Sequence, residues 1–124
     1  MKLIIGGCAQ GKLGYALERY GLGEDAVADG YLPEKAGERM IINHFHRWVK
    51  FCLKAGESPE EMTRAFVTEY PDCIIISDEV GNGIVPVDAF EREYRERLGR
   101  ILIGIAKEAE EVVRVICGLG QKIK

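Results

Sequence analysis

The stretch GGCAQGK at residues 6–12 decides the fold predicted for this chain. It follows the apolar run Leu3–Ile5 and leads directly into a helical pattern, which is the context of a phosphate-binding G-x-x-x-x-G-K loop. Backbone N–H groups of such a loop converge on one point, and the dipole of the following helix favours an anion there. The predicted phosphate ligands are Gly6, Gly7, Cys8, Ala9, Gln10, Gly11, Lys12 and Leu13.

The residue after the lysine departs from that motif. Lys12 can neutralise the outer phosphates, but the next position, which usually supplies a Ser or Thr hydroxyl to Mg²⁺, is Leu13. Leu13 instead falls with Ala16, Leu17 and Tyr20 on the core face of a helix. Phosphate binding is therefore expected, whereas Mg²⁺ would need another ligand. A glycine-rich turn without a ligand and a nucleotide-binding module without catalysis are the alternatives.

Length, charge and composition narrow the class of protein. The chain has 124 residues, of which 47% are hydrophobic, and this predicts a single domain over residues 1–124 with a sizeable core. No apolar segment reaches the roughly 18 residues that a membrane span requires, and the first residues lead into a strand rather than a signal peptide. The formal charge of −3 and the lack of a long basic run argue against nucleic-acid binding.

The four cysteines indicate reduced thiols and a cytoplasmic protein. Cys8, Cys52, Cys73 and Cys117 are far apart in the sequence and lack the spacing of a zinc site. The last three lie in apolar patterns and are expected to be buried, while Cys8 lies in the phosphate loop as filler or as a reactive thiol. Thiols stay reduced in the cytoplasm, which fits this usage.

Strand and helix patterns alternate along the chain. The predicted strands are Lys2–Ile5, Ala26–Asp29, Cys73–Ser77 and Val112–Cys117, followed by a Gly-x-Gly turn and a basic tail. The predicted helices are Lys12–Tyr20, Pro33–Lys54, Pro59–Glu69 and a segment that begins after Asp88. This alternation predicts an α/β, three-layer P-loop nucleotide-binding fold with a mainly parallel sheet. Ligands of such sheets bind beyond the carboxyl ends of the strands, which would bring together loop 6–12, the turn after Asp29 and loop 77–86.

Acidic residues follow two of the predicted strands. Asp29 would lie at the carboxyl end of the second strand, where its carboxylate could hold a metal ion near the phosphates. The alternative is a turn-forming Asp before Gly30. Asp78 and Glu79 follow the third strand, and either could serve as a base or metal ligand, or both could be solvated loop acids.

Two histidines lie in the predicted second helix. Residues two positions apart on a helix face different ways, so His44 and His46 are not expected to clamp one metal ion. His46 falls on one polar, basic stripe, together with Asn43, Arg47, Lys50 and Lys54. Such a stripe is either a solvated face or an anion-binding face on which His46 acts as nucleophile or proton carrier. His44 lies nearer the apolar side and is expected in the core.

Three segments resemble one enzyme family, the adenosylcobinamide kinase/adenosylcobinamide-phosphate guanylyltransferases. The stretch SDEVGNGIVP at residues 77–86 is similar to the N-E-V-G-x-G-I-V-P loop of that family. Residues 90–100 resemble its F-R-D-x-x-G-R helix, and GLGQKIK at residues 118–124 resembles its G-x-x-x-K-I-K terminus. With the phosphate loop, the resemblance covers residues 1–20 and about 72–124.

This resemblance implies a role in cobalamin assembly. Family members phosphorylate the aminopropanol hydroxyl of adenosylcobinamide and then transfer GMP from GTP to that phosphate through a guanylylated histidine. It implies a nucleotide, GTP or ATP, with Mg²⁺, a cobinamide-type small molecule as substrate, and a ring-like homo-oligomer, commonly a trimer. Lys12 and the loop glycines carry over as phosphate ligands, and Glu79 carries over with Gly81 and Gly83 as part of the loop that lines the site. His46 is the candidate guanylylated residue, because the His46-Arg47 pair matches the start of the family's H-R-x-x-R-P segment.

Overall fold

A mostly parallel six-stranded sheet organises the chain in this computed structural model, which describes residues 1–37, 39–80 and 87–124. The strands are β1 Lys2–Gly6, β2 Val27–Asp29, β3 Ile41–Asn43, β4 Ile74–Asp78, β5 Glu111–Ile116 and β6 Leu119–Lys122. The α-helices are α1 Lys12–Tyr20, α2 Phe45–Lys54, α3 Pro59–Glu69 and α4 Ala89–Glu108, and a short 3₁₀ turn, Glu24–Ala26, precedes β2. Among the described residues, no helix is both long and apolar enough to cross a membrane.

The strand order is β2-β3-β4-β1-β5-β6. Neighbours pair in parallel from β2 through to β5, and only β6 runs antiparallel, against β5. The central strand β1 pairs with β4 and β5 along its two edges, and its side chains are buried in core clusters on both faces of the sheet. Continuous apolar runs are expected in strands that are buried on both sides, and the run at residues 74–76 fits that expectation.

Helices cover both faces of the sheet and make three layers. Leu3 and Ile75 point to the face that α2, α3 and α4 cover, where they join Phe45, Phe66 and Leu98 in one core cluster. The alternating strand residues Ile4 and Ile76 point to the other face, where they join residues of α1. The predicted α/β architecture with a mainly parallel sheet is therefore confirmed.

The arrangement of the helices also locates a crevice at the sheet edge. Strand β1 leads into α1 on one face, while its neighbour β4 is followed by α4, which packs on the opposite face. Loops that leave adjacent parallel strands toward opposite faces separate and open a crevice beyond the carboxyl ends of those strands. The residues at these two ends, Gly6 and Asp78, lie opposite one another in the register.

The predicted helix over residues 33–54 is wrong in its first half. Residues 31–37, 39 and 40 form neither helix nor strand, Ile41–Asn43 is strand β3, and only Phe45–Lys54 is helical. Ile41 and Ile42 are fully buried on opposite faces of the sheet, which is the twofold alternation of a strand between β2 and β4. A three-residue strand is too short to produce a recognisable sequence pattern.

The Gly-x-Gly turn and basic tail predicted after residue 117 are also wrong in part, because Leu119–Lys122 pairs with β5 as strand β6. The two residues between these strands, Cys117 and Gly118, have positive φ angles of 51° and 75°. Two such residues make the turn that matches the twist of a two-residue hairpin, and Cys-Gly is not one of its usual signals. The predicted site loop at residues 81–86, including Gly81 and Gly83, lies outside the described residues.

Two isoleucines on α4 provide a test of this packing. Ile105 is 6% exposed in the core below the sheet, whereas Ile103 is 58% exposed on the same helix. Ile105→Ala is expected to lower the free energy of unfolding by about 2–5 kcal/mol, because it removes buried methyl groups and leaves a cavity. Ile103→Ala, the matched control, should change it by no more than about 0.5 kcal/mol. Urea denaturation measures both, and equal losses would contradict this placement of α4.

Candidate functional site

The loop between β1 and α1 opens into a cavity of about 290 Å³ at the carboxyl edge of the sheet. The loop and the first turn of α1 form one side, residues 43–47 after β3 form the other, and the end of β4 contributes two residues. The lining residues are Cys8, Ala9, Gln10, Gly11, Lys12, Leu13, Gly14, Asn43, His44, His46, Arg47, Ile76 and Asp78. Six of the eight predicted phosphate ligands thus line one cavity, and Gly6 and Gly7 precede them in the same loop.

Backbone geometry explains the glycines of this loop. A Cβ atom on Gly6 would lie 2.6 Å from the carbonyl oxygen of Val115 on β5, so any side chain there would separate the two strands. Gly11 has a φ angle of 86°, in the left-handed region that favours glycine, and a Cβ atom there would lie 3.3 Å from the Cα of Gly118. Ala9 adopts a positive φ of 56° without that freedom. The loop is therefore held in a conformation that these residues, and few others, can adopt.

The β5–β6 turn fixes the loop from outside. The side-chain oxygen of Gln10 accepts a hydrogen bond from the N–H of Cys117 at 2.8 Å, and its backbone oxygen accepts one from Gly118 at 2.7 Å. The segment at residues 118–124, which resembles the family's terminus, therefore begins with a residue that holds the phosphate loop in place. The sequence alone contained no signal that linked Gln10 to a turn more than one hundred residues away.

The N-terminus of α1 is suited to an anion. No side chain caps this helix, and its first turn carries no acidic residue, so the free N–H groups of that turn remain for a ligand. Lys12, Leu13 and Gly14 of this turn line the cavity. The helix dipole adds a favourable field for negative charge at the same place. The helix N-terminus therefore offers this cavity hydrogen-bond donors and a field that suit an anion.

Lys12 and Asp78 form a close ion pair inside the cavity. The Nζ atom of Lys12 lies 2.7 Å from Oδ1 of Asp78 and donates a hydrogen bond to the carbonyl oxygen of Gly7 at 2.6 Å. The lysine side chain is only 8% exposed, and that of Asp78 is 18% exposed. A buried ammonium group requires such partners, because its desolvation is costly when they are absent. Asp78 is the last residue of β4 and thus reaches the lysine across the register with Gly6.

His46 lies on the other side of the same carboxylate. Its Nδ1 atom accepts a hydrogen bond from the backbone N–H of Asp78 at 3.1 Å, and its Nε2 atom lies 3.4 Å from Asp78 Oδ2. Burial lowers the pKa of His46 below its ordinary value, an effect that the Asp78 charge only partly opposes. The ring is therefore neutral with its proton on Nε2. The predicted solvated face is wrong for this residue, which is 8% exposed.

Of the predicted basic stripe, four members keep their helical spacing within α2, namely His46, Arg47, Lys50 and Lys54, whereas Asn43 is not part of that helix. Asn43 is buried at the end of β3, because the helix begins only at Phe45. Lys50 pairs with Glu91 of α4 at 2.5 Å. Arg47 is exposed and lines the cavity. Three residues of the predicted stripe therefore line the cavity, namely Asn43, His46 and Arg47. Lys50 and Lys54 are not among the lining residues.

Asp29 and His44 form a second pair at the ends of β2 and β3. Oδ1 of Asp29 lies 2.5 Å from Nδ1 of His44 and accepts a hydrogen bond from the Asn43 amide at 3.1 Å. His44 lines the cavity with its side chain 31% exposed, so the core position expected for it is wrong. Asp29 is not among the lining residues. The metal role predicted for Asp29 stays a prediction, and its carboxylate is engaged by His44 and Asn43.

Glu79 points away from the lysine and toward β5. Its carboxylate forms an ion pair with Arg114, with 2.9 Å between Oε1 and Nε, and its backbone N–H donates to the Gly6 carbonyl. Glu79 is not among the residues that line the cavity. Its catalytic role stays a prediction, while Asp78, which the sequence left as an alternative, lies beside Lys12. Asp78 is the last residue of β4 and contacts Lys12, whereas Glu79, the next residue, contacts Arg114.

Comparisons with known proteins point to one family. A family model described as cobinamide kinase / cobinamide phosphate guanyltransferase matches residues 31–123. Two curated relatives are each 41% identical over 51 residues: the bifunctional adenosylcobalamin biosynthesis proteins CobU of Salmonella typhimurium and of Escherichia coli. The matched segment spans 41% of this chain and 28% of the length of each relative. The family match begins after the phosphate loop, so the loop geometry is an independent observation.

The four cysteines differ in exposure, and this difference provides a test of ligand binding in the cavity. Cys52 and Cys73 are fully buried, and burial raises the pKa of each to about 11, so a thiol reagent should modify them slowly. Cys8 and Cys117 are exposed, which corrects the buried position expected for Cys117. Both should react rapidly at pH 8, and a nucleoside triphosphate should slow only the modification of Cys8, which lines the cavity. Mass spectrometry of the labelled peptides measures this, and an unprotected Cys8 would contradict binding in the loop.

Proposed function

Because this chain belongs to the cobinamide kinase / cobinamide phosphate guanyltransferase family, we propose that it binds GTP or ATP and phosphorylates a cobinamide-type alcohol. The observation that carries this proposal is the Lys12–Asp78 pair, which lies between the glycine-rich loop and the end of β4. In P-loop enzymes a loop lysine cradles the nucleotide phosphates and an acidic residue holds Mg²⁺, and this pair supplies one residue of each kind. The transfer of GMP to the phosphorylated product, and assembly into a trimer, remain proposals from the same family.

Phosphate binding would use the groups that the cavity already presents. The amides of the loop and of the first turn of α1 would donate to the phosphate oxygens, and Lys12 would neutralise the outer phosphates. Lys12 would then exchange its contact with Gly7 or Asp78 for a phosphate oxygen. The exposed guanidinium of Arg47 adds a second positive charge to the lining. Catalysis on this basis consists of positioning and charge neutralisation.

The residues of this cavity fit Mg²⁺ with one protein ligand. Leu13 offers no oxygen, and the Ser77 hydroxyl donates to the backbone carbonyl of Asp78 and is fully buried. Asp78 supplies the one carboxylate that lines the cavity within the described residues. Mg²⁺ is commonly held by one or two carboxylates together with substrate phosphates and water, so Asp78 would hold the ion. When bound, the ion would neutralise charge on the transferred phosphate.

Guanylyl transfer would place a further demand on His46, the residue predicted to carry GMP. A nucleophilic nitrogen needs a free lone pair, and here Nδ1 is occupied by the N–H of Asp78 while Nε2 carries the proton. Attack through Nε2 would require that its proton pass to Asp78.

Leu13, in the place of the hydroxyl that usually binds Mg²⁺, favours a second candidate, a nucleotide-binding module without catalysis.

Lys12→Ala tests the phosphate site. The variant is expected to bind GTP or ATP at least about tenfold more weakly, because hydrogen bonds to charged groups contribute roughly 1.5–3 kcal/mol. Isothermal titration calorimetry measures the dissociation constant, and Lys35→Ala, which changes an exposed lysine outside the cavity, is the matched control. Thermal denaturation of the variant verifies folding, since Asp78 loses its partner. Unchanged affinity in folded Lys12→Ala would count against this site.

Two labels distinguish the reaction steps. With γ-labelled GTP or ATP, we expect label to move to cobinamide, which establishes phosphorylation. With α-labelled GTP, a covalent label on the protein that His46→Asn abolishes would establish guanylyl transfer through that residue. Tight nucleotide binding without consumption of nucleotide, in the presence of cobinamide and Mg²⁺, would instead support the non-catalytic module. Label transfer to cobinamide with no label on the protein would restrict the chain to the kinase step.

A further inference from the structure

The ends of β2 and β3 carry a histidine–carboxylate pair that the phosphate-binding groups do not use. We propose that His44, oriented by Asp29, accepts the proton of the acceptor hydroxyl during phosphoryl transfer. This inference deepens the proposed function and rests on it. His44 would act as the general base, and Asp29 would be the residue that positions it.

Hydrogen bonding fixes the state of the His44 ring. Asp29 Oδ1 lies 2.5 Å from Nδ1, and an ionised carboxylate can only accept, so Nδ1 carries the proton and donates it. The Asn43 amide donates to the same carboxylate oxygen at 3.1 Å and holds it in place. In the neutral ring, Nε2 then keeps a free lone pair. Within the described part of the chain, Nε2 of His44 has no hydrogen-bond partner.

The His44 ring lies where a molecule bound in the cavity can reach it. His44 lines the phosphate-loop cavity, whereas Asp29, which contacts the opposite ring nitrogen, does not. The side chain is 31% exposed and can therefore be reached by a bound molecule. Asp29 holds Nδ1, so Nε2 is the ring nitrogen that remains available to such a molecule.

The backbone holds His44 in an uncommon conformation. Its φ and ψ angles are 53° and 43°, in the left-handed region that a non-glycine residue enters only at a cost of about 1–3 kcal/mol. The residue is the N-cap of α2, directly after β3, and its carbonyl accepts the N–H groups of Arg47 and Trp48. The start of the helix thus maintains the strain. Such strain in a residue that lines a cavity is typical of a functional position.

His46, the other histidine of the cavity, is not placed for this role. Asp78 engages both of its ring nitrogens, and the ring is buried. The two rings meet edge to face, with 5.7 Å between their centres, and the His44 side chain is the more exposed, at 31% against 10% for His46. Of the two histidines, His44 is therefore the one with a nitrogen that a substrate can approach.

In the proposed step, one phosphorus–oxygen bond forms and another breaks. The oxygen of the acceptor hydroxyl forms a bond to the γ-phosphorus, and the bond from that phosphorus to its bridging oxygen breaks. The nucleoside diphosphate leaves with the electron pair, and the hydroxyl proton moves to Nε2 of His44. The imidazolium that results is stabilised by the negative charge of Asp29. General-base catalysis of this kind contributes typically about 10²–10⁴-fold to a rate.

The tautomers of the two histidines test the geometry without any activity. In ¹⁵N-labelled protein at a pH where both rings are neutral, long-range ¹H–¹⁵N correlation spectra distinguish a protonated Nδ1 from a protonated Nε2. We expect His44 to carry its proton on Nδ1, whereas His46, whose Nδ1 accepts from Asp78, should carry it on Nε2 and so serves as the internal control. His44→Asn and His46→Asn assign the signals. A His44 ring protonated on Nε2 would overturn the proposal.

Kinetics of His44→Asn test the role in turnover, because asparagine tolerates a positive φ and leaves the start of α2 intact. The kcat for phosphorylation of cobinamide should fall by about 10²-fold or more, while the dissociation constant of the nucleotide changes less than about twofold. Asp29→Asn should lower kcat in the same direction and shift the His44 tautomer, and Lys35→Ala should change neither. Turnover at the wild-type kcat in His44→Asn would overturn this role and leave the proposed function standing.

Failure of the proposed function gives a different result. If the wild-type chain hydrolyses the triphosphate but does not phosphorylate cobinamide, the proposed substrate is wrong. Water is then the acceptor, and the same comparison of kcat between wild type and His44→Asn decides the role of His44. If the wild-type chain binds the triphosphate but never cleaves it, both proposals are overturned.

Discussion

The ion pair between Lys12 and Asp78 is the interaction on which the rest of the site depends. It joins the first turn of α1 to the end of β4 across the crevice, and it neutralises a lysine that would otherwise be buried without a counter-charge. The same carboxylate contacts His46, so one aspartate sets the position of a cation and of an imidazole. Any anion that enters the loop has to compete with Asp78 for Lys12. The affinity for an anion therefore depends on the charge of the Asp78 carboxylate.

Backbone strain is concentrated around this cavity. Within the described residues, the non-glycine residues with positive φ are Ala9, His44 and Cys117. Ala9 and His44 line the cavity, and the N–H of Cys117 donates to the side chain of Gln10 in the phosphate loop. Strained residues persist where the surrounding structure determines their conformation, and here the sheet, the start of α2 and the β5–β6 turn do so. The tight parts of the fold and the candidate site therefore coincide.

The family match and the phosphate loop support each other from different parts of the chain. The family model covers residues 31–123, whereas the loop that carries the predicted phosphate ligands lies before residue 31. The matched segment of the curated relatives is 28% of their length, so their activity is a proposal for this chain rather than a property of it. Leu13 remains the main departure from the phosphate-loop motif, because its side chain offers no oxygen to a metal ion.

The sequence by itself determined the phosphate loop, the helix that follows it and the buried strands β1, β4 and β5. These features depend on local periodicity and on the conformational freedom of glycine, which neighbouring residues reveal. Strand β3 could not be predicted, because three residues form a strand only where β2 and β4 provide partners on both sides. The apolar pattern of α2 continues backward through β3, so the predicted helix contains both histidines, whereas α2 itself begins after His44.

Only the tertiary structure decided which polar residues share the cavity. Asp78 rather than Glu79 meets Lys12. Strand β4 ends at Asp78, one residue beyond the predicted strand Cys73–Ser77, and adjacent residues of an extended chain point in opposite directions. Likewise, both histidines line the cavity, His44 half-buried and His46 buried, whereas the sequence predicted His44 in the core and His46 on a solvated or anion-binding face. Local pattern determines which residues are helical, extended or apolar, whereas the ends of separate strands meet only through the register of the sheet.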